Sequence, residues 1–243
     1  MGDEVFEMIV MRAPGALPPG DEVAIERFQD LLTEAWEAGD VHRFYSYSGD
    51  HHLYLLQLFK AMGVSADPMG HYGETSDFID MPHDRLPGVL ADLDTFVRAM
   101  EDDPSPLVPL MEADRERSKA GMATVLGDVP PSKRPGYPGH SWMSDAEVDA
   151  NWHAMQPHRA KAMERMETGR ALNVDELRRL WAEAAPGGDG MRDVPPEIQA
   201  LFDAIGPTNQ GIALLRSFDY ILTMRGHVAT AIEAGQSILC VDY

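Results

Sequence analysis

The stretch Gln210–Tyr243, QGIALLRSFDYILTMRGHVATAIEAGQSILCVDY, decides the fold. Residues 210–234 read as one long amphipathic helix, and Gly235 supplies the residue that ends it. Ser237–Asp242 follows as a strand built on Ile238, Leu239, Cys240 and Val241. The opposite end of the chain answers it. In Glu4–Arg12 the residues Val5, Phe6, Met8, Ile9, Val10 and Met11 form an apolar run of strand length. A strand at each end invites pairing in one small sheet, which holds the two ends close together.

Between these ends the pattern is mostly helical. Asp21 caps a helix to about Ala38, with Ile25, Phe28, Leu31, Leu32, Ala35 and Trp36 on one face. Asp50 opens a second, through Leu53, Leu56, Phe59 and Met62, stopped by Gly63. Further helices are expected over Leu86–Met100, from the prolines at 104 and 106 to Leu126, over 197–205, and from Asn173 to about Ala184. Ser144-x-x-Glu147 is a capping-box pattern opening another, which Pro157 is expected to kink or end, and Asn173-Val174-Asp175-Glu176 has similar spacing at the start of its helix. Phe44–Ser48 and Phe78–Met81 read as short strands. The fold class is therefore α+β, helix-dominated, with a small sheet that includes the N- and C-terminal segments.

Four prolines fall within Pro130–Pro138, so this segment neither continues a helix nor sits inside a sheet. One domain over 1–243 is the expected organisation. The alternative division is an acidic region over 1–127, a Pro/Gly-rich linker or loop over 128–143, and a helical region over 144–243 with the closing strand.

Charge separates these regions. The chain carries 20 Lys+Arg against 40 Asp+Glu, a net of −20. Residues 1–127 hold 24 acids and 9 bases, against 16 and 11 in residues 128–243. Such a balance repels phosphate backbones, and the bases form no basic face, so nucleic acid is not an expected partner. No apolar run reaches a membrane span, the longest being broken by Gln57 and Lys60. The start Met1-Gly2-Asp3-Glu4 lacks the positive charge of a secretory signal, and Phe6 occupies the position where myristoylation requires Ser or Thr. Cys240 is the lone cysteine, excluding an internal disulfide or a thiolate zinc cage. A soluble, cytoplasmic protein is expected.

The chain contains no G-x-S-x-G, no G-x-x-x-x-G-K-[ST], no G-x-G-x-x-G and no H-E-x-x-H. Two functional readings remain. Glu22, Glu26 and Asp30 are spaced by four and Glu34 extends the row, a like-charge series that costs an isolated helix at each step. A basic protein partner relieves that cost. The first reading is an acidic interaction protein, with an inhibitor, immunity-type or assembly role.

The second is a metal-dependent enzyme. Asp149 and His153, four apart on a helix, project from one face and supply two ligands to a divalent metal. Catalytic sites want a third, for which His158 and His140 are the nearest candidates. Asp50-His51-His52 points its adjacent imidazoles in different directions and does not chelate alone.

Overall fold

A computed structural model describes residues 5–12, 41–46, 50–64, 78–125, 129–139, 143–186, 194–205 and 210–242. The helix expected over residues 21–38 lies outside them. Helices dominate what is described: α1 (Asp50–Ala61), α2 (Leu86–Asp102), α3 (Leu107–Val125), α4 (Asp145–Thr168), α5 (Val174–Glu183), α6 (Pro196–Ile205) and α7 (Gln210–Ala234). Strands are β1 (Val5–Arg12), β2 (Val41–Ser46), β3 (Phe78–Met81) and β4 (Ser237–Asp242). They pair antiparallel in the order β2-β1-β4-β3. The register sets Ile9 opposite Cys240 across β1 and β4, and Ile79 opposite the same Cys240 across β3 and β4.

The organising element is α7. It packs against α1, α2, α3, α5, α6 and β4. Leu214, Phe218, Tyr220, Ile221, Met224, Val228 and Ala231 are fully buried along it. At 3.6 residues per turn these positions span an arc of about 160°, a broad apolar stripe on which several neighbours pack. The surrounding helices answer with Leu55, Leu58 and Phe59 from α1 and Val89, Leu93, Phe96 and Met100 from α2. Leu177 and Leu180 come from α5, and Ile198, Leu201 and Phe202 from α6. These residues form a single cluster from Leu55 to Ile238, drawing on both sides of the Pro/Gly-rich segment.

Aromatic rings bind four helices through that cluster. Phe59 of α1 meets Phe96 of α2 edge to face, with ring centres 5.2 Å apart. Phe96 meets Trp181 of α5 at 6.1 Å, and Trp181 meets Phe218 of α7 at 5.1 Å. The positive ring edge against the negative ring face adds an oriented attraction to ordinary apolar burial.

Two hydroxyls of α7 are satisfied within the helix itself. Ser217 Oγ donates to the Ala213 carbonyl at 2.8 Å and Thr223 Oγ1 to the Asp219 carbonyl at 2.7 Å. The buried Asp219 carboxylate accepts from the Ala185 N–H, just beyond α5, at 2.8 Å. That bond ties the end of α5 to the central helix.

Pro157 does not end α4, which continues to Thr168. A proline there deprives the His153 carbonyl of its usual donor four residues on. Pro157 is exposed, so water can take the donor's place, and Trp152 and Met166 are packed on either side of it.

Two variants test this packing. Phe96→Ala removes the ring that touches both Phe59 and Trp181, and is expected to lower stability by about 3–5 kcal/mol, with Phe96→Leu losing less. Urea unfolding midpoints measure both. A Cβ at Gly169 meets the Ile205 carbonyl oxygen at 2.5 Å, where α4 ends against α6. Gly169→Ala is therefore expected to cost about 1–3 kcal/mol although the backbone angle there suits any residue; an unchanged midpoint contradicts that close approach.

Candidate functional site

The residues that suggest chemistry concentrate on α4 and on the segment Val129–Gly139 lying across it. The Ser144 capping box forms as its spacing predicts. Ser144 Oγ accepts the Glu147 N–H at 3.4 Å and the Glu147 carboxylate accepts the Ser144 N–H at 2.8 Å. These bonds, with Asp145 and Glu147 in the first turn, complement the positive helix start. From there, Asp149, Trp152, Gln156, Arg159, Met163 and Met166 follow the three-and-four spacing of one face. That face turns inward, while most of the remaining circumference is exposed.

The Val129–Gly139 segment forms a strap. Pro131–Lys133 is a single 3₁₀ turn packed on α4. Arg134 Nε donates to the Val129 carbonyl at 3.0 Å and the Tyr137 N–H to the Arg134 carbonyl at 3.2 Å, so the segment is held to itself. Gly136 and Gly139 have φ of 77° and 73°, backbone angles that side chains with a Cβ disfavour.

One pair of bonds fastens strap to helix. Ser132 Oγ donates to Asp149 Oδ2 at 2.5 Å, and the Ser132 N–H to Asp149 Oδ1 at 3.2 Å. The hydroxyl bond holds the Asp149 carboxyl below its ordinary range, and Lys133 and His153 add to the effect. Partial burial raises the Tyr137 phenol, with the negative charges of Asp145 and Asp149 reinforcing it.

This arrangement gives Asp149 a latch's duty, with both oxygens engaged by Ser132. His153 stays close to it, but is exposed, its ring edge to face with Trp152 at 4.8 Å. His158 stands nine residues from Asp149, about 13 Å along the axis and about half a turn round. The helix thus brings Asp149 and His153 together and carries His158 away. His140 lies outside the described residues, as do Glu22, Glu26, Asp30 and Glu34. Among the described residues, no three His, Cys, Asp or Glu side chains group as a metal centre. None of the helices there is long and apolar enough to cross a membrane.

Two polar constellations escaped the sequence reading. Arg115 of α3 donates through Nη2 to the Met166 carbonyl at 2.6 Å and also to the Gly169 carbonyl. It therefore caps α4 at the negative helix end, where a cation is favoured. Nothing local in sequence marks a cap supplied from more than fifty residues away.

The second lies at the start of α5. Asn173 and Glu176 form a reciprocal capping box, with both bonds at 3.0 Å. Arg170 then grips the same carboxylate through both terminal nitrogens, one of them at 2.6 Å. The Arg170 bonds, followed by the Asn173 N–H, hold Glu176 below the ordinary carboxylate range. The spacing revealed the box but not the guanidinium.

Both depressed carboxylates stabilise the fold above the ordinary carboxylate range, and that contribution is lost as pH falls through their lowered values. In a carboxyl-carbon NMR titration, Asp149 is expected to titrate below a free aspartate and to move upward in Ser132→Ala. The same variant is expected to be cleaved faster within residues 129–139 by a limiting protease. Unchanged titration and cleavage would remove Ser132 as the fastening.

No protein family, curated protein or solved structure matches this chain.

Proposed function

We propose that the chain is a soluble, cytoplasmic interaction protein of α+β fold, whose acidic surface binds a basic protein partner in an inhibitory, immunity-type or assembly role. The observation that carries this reading is the charge: −20 overall, with 24 acids against 9 bases in residues 1–127. A field of that sign repels nucleic acid and accelerates encounter with a basic protein surface.

Some of the acidity sits where the fold gains little from it. Glu101 and Asp102 are exposed in the last turn of α2, which contains no base. Carboxylates at a helix's negative end are unfavourable, so a cation brought by a partner relieves two repulsions together. Neighbouring Asp103 has a local role, accepting from the Ser105 N–H at 2.9 Å and Ser105 Oγ at 2.7 Å. The contribution of such exposed groups is to association rate and salt dependence more than to final affinity.

Immobilised chain is expected to retain basic proteins from a cell extract at about 50 mM salt and to release them by about 0.5 M, as screening shortens the reach of the field. For a retained partner, the triple variant Glu26→Lys/Asp30→Lys/Glu34→Lys is expected to slow association about tenfold or more at low salt, with a smaller change in dissociation. The same reversal at exposed Glu164, Glu167 and Glu197 is the control. Equal slowing by both sets reduces the effect to net charge, and no slowing by the first set overturns the reading.

A further inference from the structure

The register of the sheet sorts its residues between two faces. Met81 and Ile238 stand opposite each other across β3 and β4, and both are completely buried in the helical cluster. That face therefore meets the helices, and alternation assigns every second residue to the face turned away from them. Phe78, Val241 and Met8 line up across β3, β4 and β1 on this second face, with Leu239, Val10 and Phe6 beside them. An antiparallel sheet with one wet face carries polar residues there, whereas this second face is as apolar as the one that meets the helices. A contiguous apolar set of this kind calls for a cover.

We propose that the second face of the sheet is the docking surface for the chain's own segment 21–38, which thereby turns the acidic row Glu22, Glu26, Asp30 and Glu34 outward. The segment joins β1 to β2, and its sequence sets Ile25, Phe28, Leu32 and Trp36 at the three-and-four spacing of one helical stripe. At about 100° per residue that stripe falls on the far side of the expected helix from the acidic row, so docking the one displays the other. The length of the connection suits this course. Val10 pairs with Val41, so the chain leaves and re-enters the sheet at one end. Residues 13–20 include three prolines and reach about 25 Å when extended, and the 18 residues of 21–38 return about 27 Å as a helix. Both distances match the roughly 27 Å of β1, a strand of 8 residues. A tethered segment also meets the face at a higher effective concentration than a second copy, which the net charge of −20 repels. The docking stands apart from the partner reading; only the offer of the row to a basic protein rests on it.

The test measures thiol labelling of the full chain by a charged, water-soluble disulfide reagent, with Cys240→Ala removing the native thiol. Leu239→Cys, on the second face, is expected to react about a hundredfold more slowly than in the urea-unfolded chain, at a rate independent of protein concentration. Leu32→Cys is expected to share that protection and Asp30→Cys to react freely. Phe28→Ala with Trp36→Ala loosens the segment and is expected to speed the labelling of Leu239→Cys by about tenfold or more. Leu32→Ala alone serves should that pair unfold the chain. Rapid labelling of Leu239→Cys, or protection that survives the loosened segment, overturns the proposal, and protection that grows with protein concentration replaces the segment by a second copy. Glu26→Lys/Asp30→Lys/Glu34→Lys is expected to retain the protection. Slowed association without protection therefore defeats the docking alone, and protection without slowed association defeats the partner reading alone.

Discussion

Edge-to-face contact among Phe59, Phe96, Trp181 and Phe218 is the interaction on which the helical assembly rests. Each ring comes from a different helix, so the chain of contacts fixes four helices relative to one another where aliphatic packing alone tolerates sliding. The central helix α7 supplies the last ring and encloses its other apolar residues among the same neighbours. Its buried aspartate reaches beyond the end of α5, which adds a directional bond to the non-directional ones. By contrast, α4 buries only Val148, Trp152 and Met166, none of them in the main cluster. It is held instead by a serine latch near its start and an arginine cap at its end.

That contrast explains which regions of the fold were legible. Helix ends announced themselves through local chemistry: Gly235 after α7, and the Ser144 and Asn173 boxes before α4 and α5. A hydrogen bond closing over three residues leaves a trace at a fixed spacing, so it can be read from the chain. That Pro157 does not end α4 has a related reason. Its local penalty is real, but burial of Trp152 and Met166 on either side outweighs it, and burial depends on residues far along the chain. The sheet order β2-β1-β4-β3 and the Arg115 cap are likewise long-range facts without a local signature.

Asp149 and His153 show how a contact can escape a correct spacing. Asp149 and His153 do share a face, as their separation of four implies. The carboxylate nevertheless has a closer claimant in Ser132, seventeen residues away across a proline-rich segment. A hydroxyl and a backbone N–H from one residue match the two carboxylate oxygens. Four prolines, read as punctuation between two regions, stiffen the segment that delivers this serine. The acidic residues of 1–127 posed a different problem: charge is visible in sequence at once, but the surface it forms depends on the whole fold.

The place of α7 in the chain has a consequence for biosynthesis. A ribosome adds residues at about 5–20 per second, so α1 through α6 emerge seconds before the helix against which most of them pack. During that interval the apolar faces of α1, α2 and α5 have their sequence but lack their central partner. Local helices can form and dissolve meanwhile, yet the aromatic chain cannot close until Phe218 has left the exit tunnel. The nascent protein thus passes through a period of adhesiveness set by gene order, during which a holding chaperone would protect it.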